Sequence, residues 1–336
     1  MRKGTKTYLL AAELLLLSSL VLVSGCSGLD APLQQPEVLL QPVPASGSAA
    51  MATKADPELA GTSLGTDNSY VVYLSASGTQ VQDFMSGQLY SYISATSKWE
   101  ASSAIGTADP VWWPLGGERL DFLALACTPA AYSALDLAWD ALVPASRVTV
   151  SGWDTYENQY DLMFAATNDR TSATNSGVVD MTFRHALALV AFTAVCDDKD
   201  AVTLNKITVN GLGYSGDFVI DNTRTEVTAA WGTLTSADKV IPGTGGETSD
   251  YAFAVPEGDA AQCARHLLVP QQAARSVTLT YTMKDAVTPL DYVLTLPRTV
   301  WKAGYKYTYA LHFSATEITA HSAVSAWDGS ELGVDF

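Results

Sequence analysis

The sequence predicts an all-β protein made of tandem β-sandwiches, and three observations carry that expectation. Short apolar or alternating runs rich in Val, Thr, Tyr and Phe recur from Ser69 to Ser314. Gly, Pro, Asn and Asp stand between them, as turns require. Only one stretch offers a helical pattern. Many short strands separated by turn formers are the sequence pattern of a β-sandwich.

Taken in chain order, strands are expected at 69–77 (SYVVYLSAS), 119–128 (RLDFLALACT), 147–152 (RVTVSG) and 161–168 (DLMFAATN). A long strand region, VVDMTFRHALALVAFTAV, follows at 178–195. Two strands, 205–212 and 217–221, are expected to form a hairpin around GLGYSG, since Gly marks a tight turn. The later strands are 251–256, 266–271, 276–283, 291–297 and 306–314. The stretch TPAAYSALDLAWDALV (128–143) is the helical candidate, closed by Pro144. The polar, turn-rich TNDRTSATNSG (167–177) places a domain junction. An N-terminal β-sandwich domain is therefore expected over 67–172 and a C-terminal one over 173–336. No fixed-period repeat is visible, which argues against a solenoid.

The first residues carry an address. Arg2, Lys3 and Lys6 precede a short apolar run that ends in LVSGC at Cys26. The run is too short and too interrupted for a bilayer crossing, which needs about 20 apolar residues. Residues 1–25 thus read as a secretory signal peptide. LVSGC resembles the bacterial lipobox, and that resemblance implies a diacylated Cys26 as the mature N-terminus, with the lipid holding the chain on a membrane. Residues 26–66 then read as a flexible tether, with Pro32, Pro36, Pro42, Pro44 and Pro57 among Ser, Gly and Ala.

Composition narrows the function. The chain has 336 residues, 48% of them hydrophobic, and a net charge of −16. Such apolar content excludes a disordered protein, and such acidity argues against nucleic acid as a partner. Beyond Cys26 stand Cys127, Cys196 and Cys263, without CxxC or Cys/His ligand spacing. Zinc is not expected. One disulfide with a free thiol and three buried thiols are equal readings.

Several motifs tempt and fail. GLGYSG (211–216) fits the dinucleotide fingerprint, but a strand rather than a helix follows it. GTSLG (61–65) fits the nucleophile elbow, but lies in polar sequence beside the tether. Asp197, Asp198 and Asp200 lack the spacing of a calcium loop. His185, His266, His312 and His321 have no neighbour that would make any of them a general base. No catalytic residue, metal ligand or cofactor-binding residue is expected. Most of the eight tryptophans are read as core.

Six stretches, in order, resemble the fimbrillin-like lipoproteins of Bacteroidales-type bacteria, the type V pilus subunits. They are PLGGERLDFLALACTP (114–129), YDLMFAATND (160–169), VDMTFRHALALVAFTAV (179–195), NKITVNGLGYSGDF (205–218), LLVPQQ (267–272) with SVTLTYTM, and WKAGYKYTYALHFS (301–314) with AVSAWDG. The resemblance implies two transthyretin-like β-sandwich domains and no enzymatic activity. It implies lipidation at Cys26, a surface location, other pilus subunits as partners and a role in cell adhesion. It also implies that, in stalk subunits, an Arg-specific protease removes the N-terminal segment and a neighbour's strand fills the groove. A segment able to serve as that strand is 318–336 (ITAHSAVSAWDGSELGVDF), which could equally complete its own sheet.

The sequence departs from that pattern at the cleavage site. No Arg lies between Cys26 and Arg119, and Arg119 is expected inside a core strand. Lys54, in MATKADP, is the early basic residue left for processing. Lys lacks the planar fork that an Arg pocket reads. A retained N-terminus would suit an anchor, an accessory subunit, or a surface lipoprotein that does not polymerise and binds carbohydrate or host protein.

Overall fold

Leu120–Cys127 is buried along its whole length, and that single strand explains much of the architecture. A strand shows alternate side chains to opposite faces, so continuous burial means an apolar layer on each side. Leu123, Leu125 and Cys127 enter one core, while Leu120, Phe122, Ala124 and Ala126 enter another. A computed structural model describes residues 38–45, 64–66, 68–76, 83–102, 111–114, 117–127, 135–140, 146–197, 202–223, 226–244, 251–272, 276–297, 300–314 and 316–327. They are all-β apart from one short 3-10 turn at Thr174–Gly177.

The strands run in chain order as β1 (Gln41–Pro44), β2 (Ser69–Ala76), β3 (Asp83–Ile93), β4 (Lys98–Ala101), β5 (Leu120–Cys127), β6 (Asp136–Asp140), β7 (Ser146–Asp154) and β8 (Met163–Arg170). Next come β9 (Val178–Met181), β10 (Arg184–His185), β11 (Ala188–Cys196), β12 (Thr203–Asn222), β13 (Val227–Trp231), β14 (Thr235–Val240) and β15 (Phe253–Ala254). The last are β16 (Ala261–Leu268), β17 (Gln271–Gln272), β18 (Ser276–Thr282), β19 (Leu290–Thr295), β20 (Val300–Trp301), β21 (Tyr305–Phe313) and β22 (Ile318–Ala326).

Three sheets carry the cores. One has the order β10-β8-β5-β2-β3-β4, a second β16-β11-β21-β22, and a third β19-β18-β12-β7-β6, with β13, β14 and β15 also on β12. Within the second sheet, β11 and β21 run parallel. β12 ties the molecule together. Its Leu204, Ile207, Val209 and Leu212 enter the core built with β11, β18 and β21, while Phe218 and Ile220 enter the core built with β5, β7 and β8.

Four sequence expectations are corrected here. GLGYSG is not a hairpin turn, because β12 runs straight through it for 20 residues. Its glycines serve close approach instead. A Cβ on Gly213 or Gly216 would come within 2.8 Å of the Leu234 side chain, and the register shifts at both places. The strand region 178–195 is three strands, β9, β10 and β11. The helical candidate 128–143 contains a strand, β6, paired with β7. Leu135, Leu137 and Trp139 pack on the core at a spacing of two, so tertiary pairing overrides a weak helical preference. The fourth correction concerns the tether, described below with the site. Cys127, Cys196 and Cys263 are buried, reduced thiols. Burial pushes the Cys263 thiol up to about 12, and its Sγ donates to Phe192 O at 3.3 Å.

Candidate functional site

The stretch expected as a flexible tether carries β1, and β1 is the lid of a core. It pairs in parallel with β9, Gln41 to Val178 through Pro44 to Met181. Pro42 and Pro44 cannot donate to that ladder, so part of the hold comes from elsewhere. Leu40 is 3% exposed and joins the core of Tyr70, Val72, Phe122 and Phe183. Burial of one Leu side chain contributes ~1.5–3 kcal/mol. The Tyr70 hydroxyl donates to Pro42 O at 2.8 Å, and burial raises the Tyr70 pKa. On the other side, Leu40 N donates to Val111 O and Trp113 N donates to Val38 O, both at 2.9 Å. The segment also passes very close to Gly177. A Cβ there would stand 2.6 Å from Leu39 O and from the Val38 side chain, and φ is +87°. Trp113 Nε1 seals the contact by donating to Gly177 O.

Beside β1 lies a groove of 540 Å³, lined by Leu40, Pro42, Tyr90, Trp99 and Val111 among others. The six-stranded sheet thus has one face covered by the rest of the fold and the other covered in part by a short, proline-bearing segment.

The sequence-derived site residues fall as follows. Cys26 and Lys54 lie outside the described residues, as do Asp198 and Asp200 of the acidic cluster. Asp197 is exposed, and His312 Nε2 donates to its Oδ1 at 2.7 Å. Arg119 is not inside a core strand. It precedes β5, its side chain is 58% exposed, and it pairs with Asp169. The charged fork needs water or an acid partner, which a strand buried on both faces cannot give. The C-terminal segment completes its own sheet, since β22 pairs with β21 along nine residues, Ile318 to Phe313 through Ala326 to Tyr305. Residues 328–336 of that segment lie outside the described residues.

Two histidines are structural. His185 Nδ1 donates to Asp161 Oδ2 at 2.8 Å, and its ring stacks on Trp327 with centroids 4.1 Å apart. His266 is 2% exposed beside Gln159 and Tyr156. Burial lowers its pKa to about 3, and the nearby Lys239 charge adds to the shift. Among the described residues no three acidic, His or Cys side chains are placed to hold a metal.

The sequence matches the family described as Fimbrillin-like over residues 53–327. No curated protein matches it. Among solved structures, the chain is similar to a fimbrial protein from Bacteroides vulgatus, with 15% identity and a TM-score of 0.56, covering 87% of this chain and 99% of that one. It is also similar to a candidate cell adhesion protein from Bacteroides uniformis, with 16% identity and a TM-score of 0.55 over the same shares. At such identity the likeness concerns the fold.

Proposed function

The chain belongs to the fimbrillin-like family, and from that premise we propose that it is a surface lipoprotein serving as a structural or accessory subunit of a type V pilus used in cell adhesion. In this reading Cys26 bears the lipid, and the outer membrane is where the chain is held before assembly. The observation that carries the proposal is β1. It lies before Lys54 in the chain, covers an apolar core, and is held by a four-residue ladder, one leucine and a few hydrogen bonds.

A cut at Lys54 would leave β1 attached to the body by those contacts alone. Loss of the segment would open the groove beside Tyr90 and Trp99 and bare the unpaired edge of β9. A strand from a second subunit would restore the ladder and bury alternate side chains. Contacts of this head-to-tail kind, which do not close on themselves, build filaments. Since β22 holds 318–326 in its own sheet, that part of the C-terminal segment would have to be peeled from β21 before it could serve as donor. The division into domains 67–172 and 173–336 remains part of this proposal, with β12 of the second pairing with β7 of the first.

The test is the N-terminus of the surface form. The full gene, lipobox included, is expressed in a native-type host, and surface molecules are sequenced and run unboiled on SDS gels. A start at Ala55 together with SDS-resistant ladders supports processing and strand exchange. A blocked, lipidated Cys26 in every surface molecule, with no ladder, overturns the stalk role and favours the non-polymerising lipoprotein.

A further inference from the structure

A second cavity, of 390 Å³, lies away from β1 and is lined by residues of both β10 and β13. Among the described residues β10 pairs only with β8 and β13 only with β12, so each has one ladder edge without a strand partner there. The floor is aromatic. Phe164, Phe218 and Trp231 follow one another with centroids 5.6 and 5.1 Å apart. Trp231 Nε1 donates to Ala186 O at 2.9 Å, which fixes the indole and leaves its carbon face for a ligand. On β13 the lining residues Ala229 and Ala230 have side chains too small to hide the backbone.

Arg184 supplies the charge. It lines the cavity, is half-buried, and forms no ion pair with any described residue. The chain holds 35 acidic against 19 basic residues, so an Arg with no acidic partner among the described residues stands out. Its position is set by His185, which is tied to Asp161 and stacked on Trp327.

We propose that this cavity binds an acidic sugar residue, such as the terminal unit of an anionic glycan. The guanidinium fork takes the carboxylate in a bidentate pair. The indole takes the apolar face of the ring. The free backbone edges of β10 and β13 take the hydroxyls, which a flat aromatic acid does not have. The volume is at the small end of ligand sites, which run from about 300 to 1,000 Å³, and so fits one or two rings. The site does not depend on polymerisation, because it shares no residue with β1, β9 or the groove beside them.

The full chain is titrated with sodium glucuronate and N-acetylneuraminate by calorimetry and saturation-transfer NMR, with glucose and benzoate alongside. Saturable binding of an acidic sugar is expected, weaker by about tenfold or more in Arg184→Gln. Trp231→Phe, which keeps an aromatic floor but loses the bond to Ala186 O, is expected to weaken it less. Both variants are first shown to melt as the parent does. Four results would overturn the assignment: no saturable binding up to about 10 mM, glucose as tight as glucuronate, benzoate as tight as glucuronate, or an unchanged affinity in Arg184→Gln. Ladder formation by Arg184→Gln is followed in parallel. Lost sugar binding with intact ladders separates this site from the assembly reading.

Discussion

β1 and β22 are the first and last strands of the described chain, and they are held in opposite ways. β1 has a four-residue ladder in which two positions are proline. Its hold is concentrated in Leu40, the Tyr70 hydroxyl and the tight passage at Gly177. β22 has nine antiparallel pairs with β21 and many partly exposed side chains. It is pinned at both ends, by Ile318 at 6% exposure and by Trp327 at 4%. Trp327 N also donates to Gly304 O at 2.9 Å. The difference teaches which end would suit the proposed strand exchange. A strand held at a few points can leave once the chain beside it is cut. A strand held along its length must first be peeled from its sheet.

The sharpest way to break the contrast is Trp327→Ala. It should lower stability by ~3–5 kcal/mol, and hydrogen exchange should rise along Ile318–Ala326. If exchange there stays slow, the ladder alone holds β22. Next is Leu40→Ala, expected to cost ~2–4 kcal/mol by thermal or denaturant unfolding, with faster exchange at Val178–Met181 and none gained in β22. Faster exchange in both strands would mean that the two ends are coupled and the contrast is false.

Acid gives a test that should not distinguish the ends. His266 titrates near 3 in the fold against 6.5 when free. Above 6.5 neither state holds the proton, and its contribution is complete. As pH falls from 6.5 towards 3 only the unfolded chain takes up the proton, so stability declines by about 1.4 kcal/mol per pH unit. His266→Leu should flatten that decline, and a midpoint that tracks the parent at every pH would refute the assignment. Gly177→Ala should cost ~1–3 kcal/mol, through the left-handed φ and the collision with Leu39 O. Its damage should be confined to β1. Tyr70→Phe is the smallest change, about 1 kcal/mol for one hydrogen bond to Pro42 O. It should speed hydrogen exchange at Val178–Met181 while leaving exchange along Ile318–Ala326 unchanged.

Local pattern carried the legible part. β2, β5, β18 and β21 follow from β-branched and aromatic runs bounded by turn formers, and each lies within one or two residues of its expected place. β6 was legible in the spacing of Leu135, Leu137 and Trp139, but the alanines around them weakened the contrast on which periodicity depends. β12 was misread because Gly signals a turn as readily as it signals close approach. The partner that needs the space, Leu234, comes from another turn of the chain. β1 gave almost no signal. Prolines read as linker, and the groups that dock it, Tyr70, Trp113 and Gly177, are scattered far along the sequence. The site was legible as residue types in a family-like order and not as a place, since Lys54 means nothing until a strand is found before it.

What the sequence determined by itself is the all-β class, the strand-forming runs and the fimbrillin-like pattern. These rest on side-chain alternation and turn chemistry, which act between near neighbours. Only the tertiary structure decided which strands share a core, that β12 serves two of them, that Arg119 is exposed, and that the proline-bearing segment is a docked strand. Pairing joins residues distant in sequence, and its free energy depends on which apolar faces meet and what can approach a glycine. No local pattern encodes that choice.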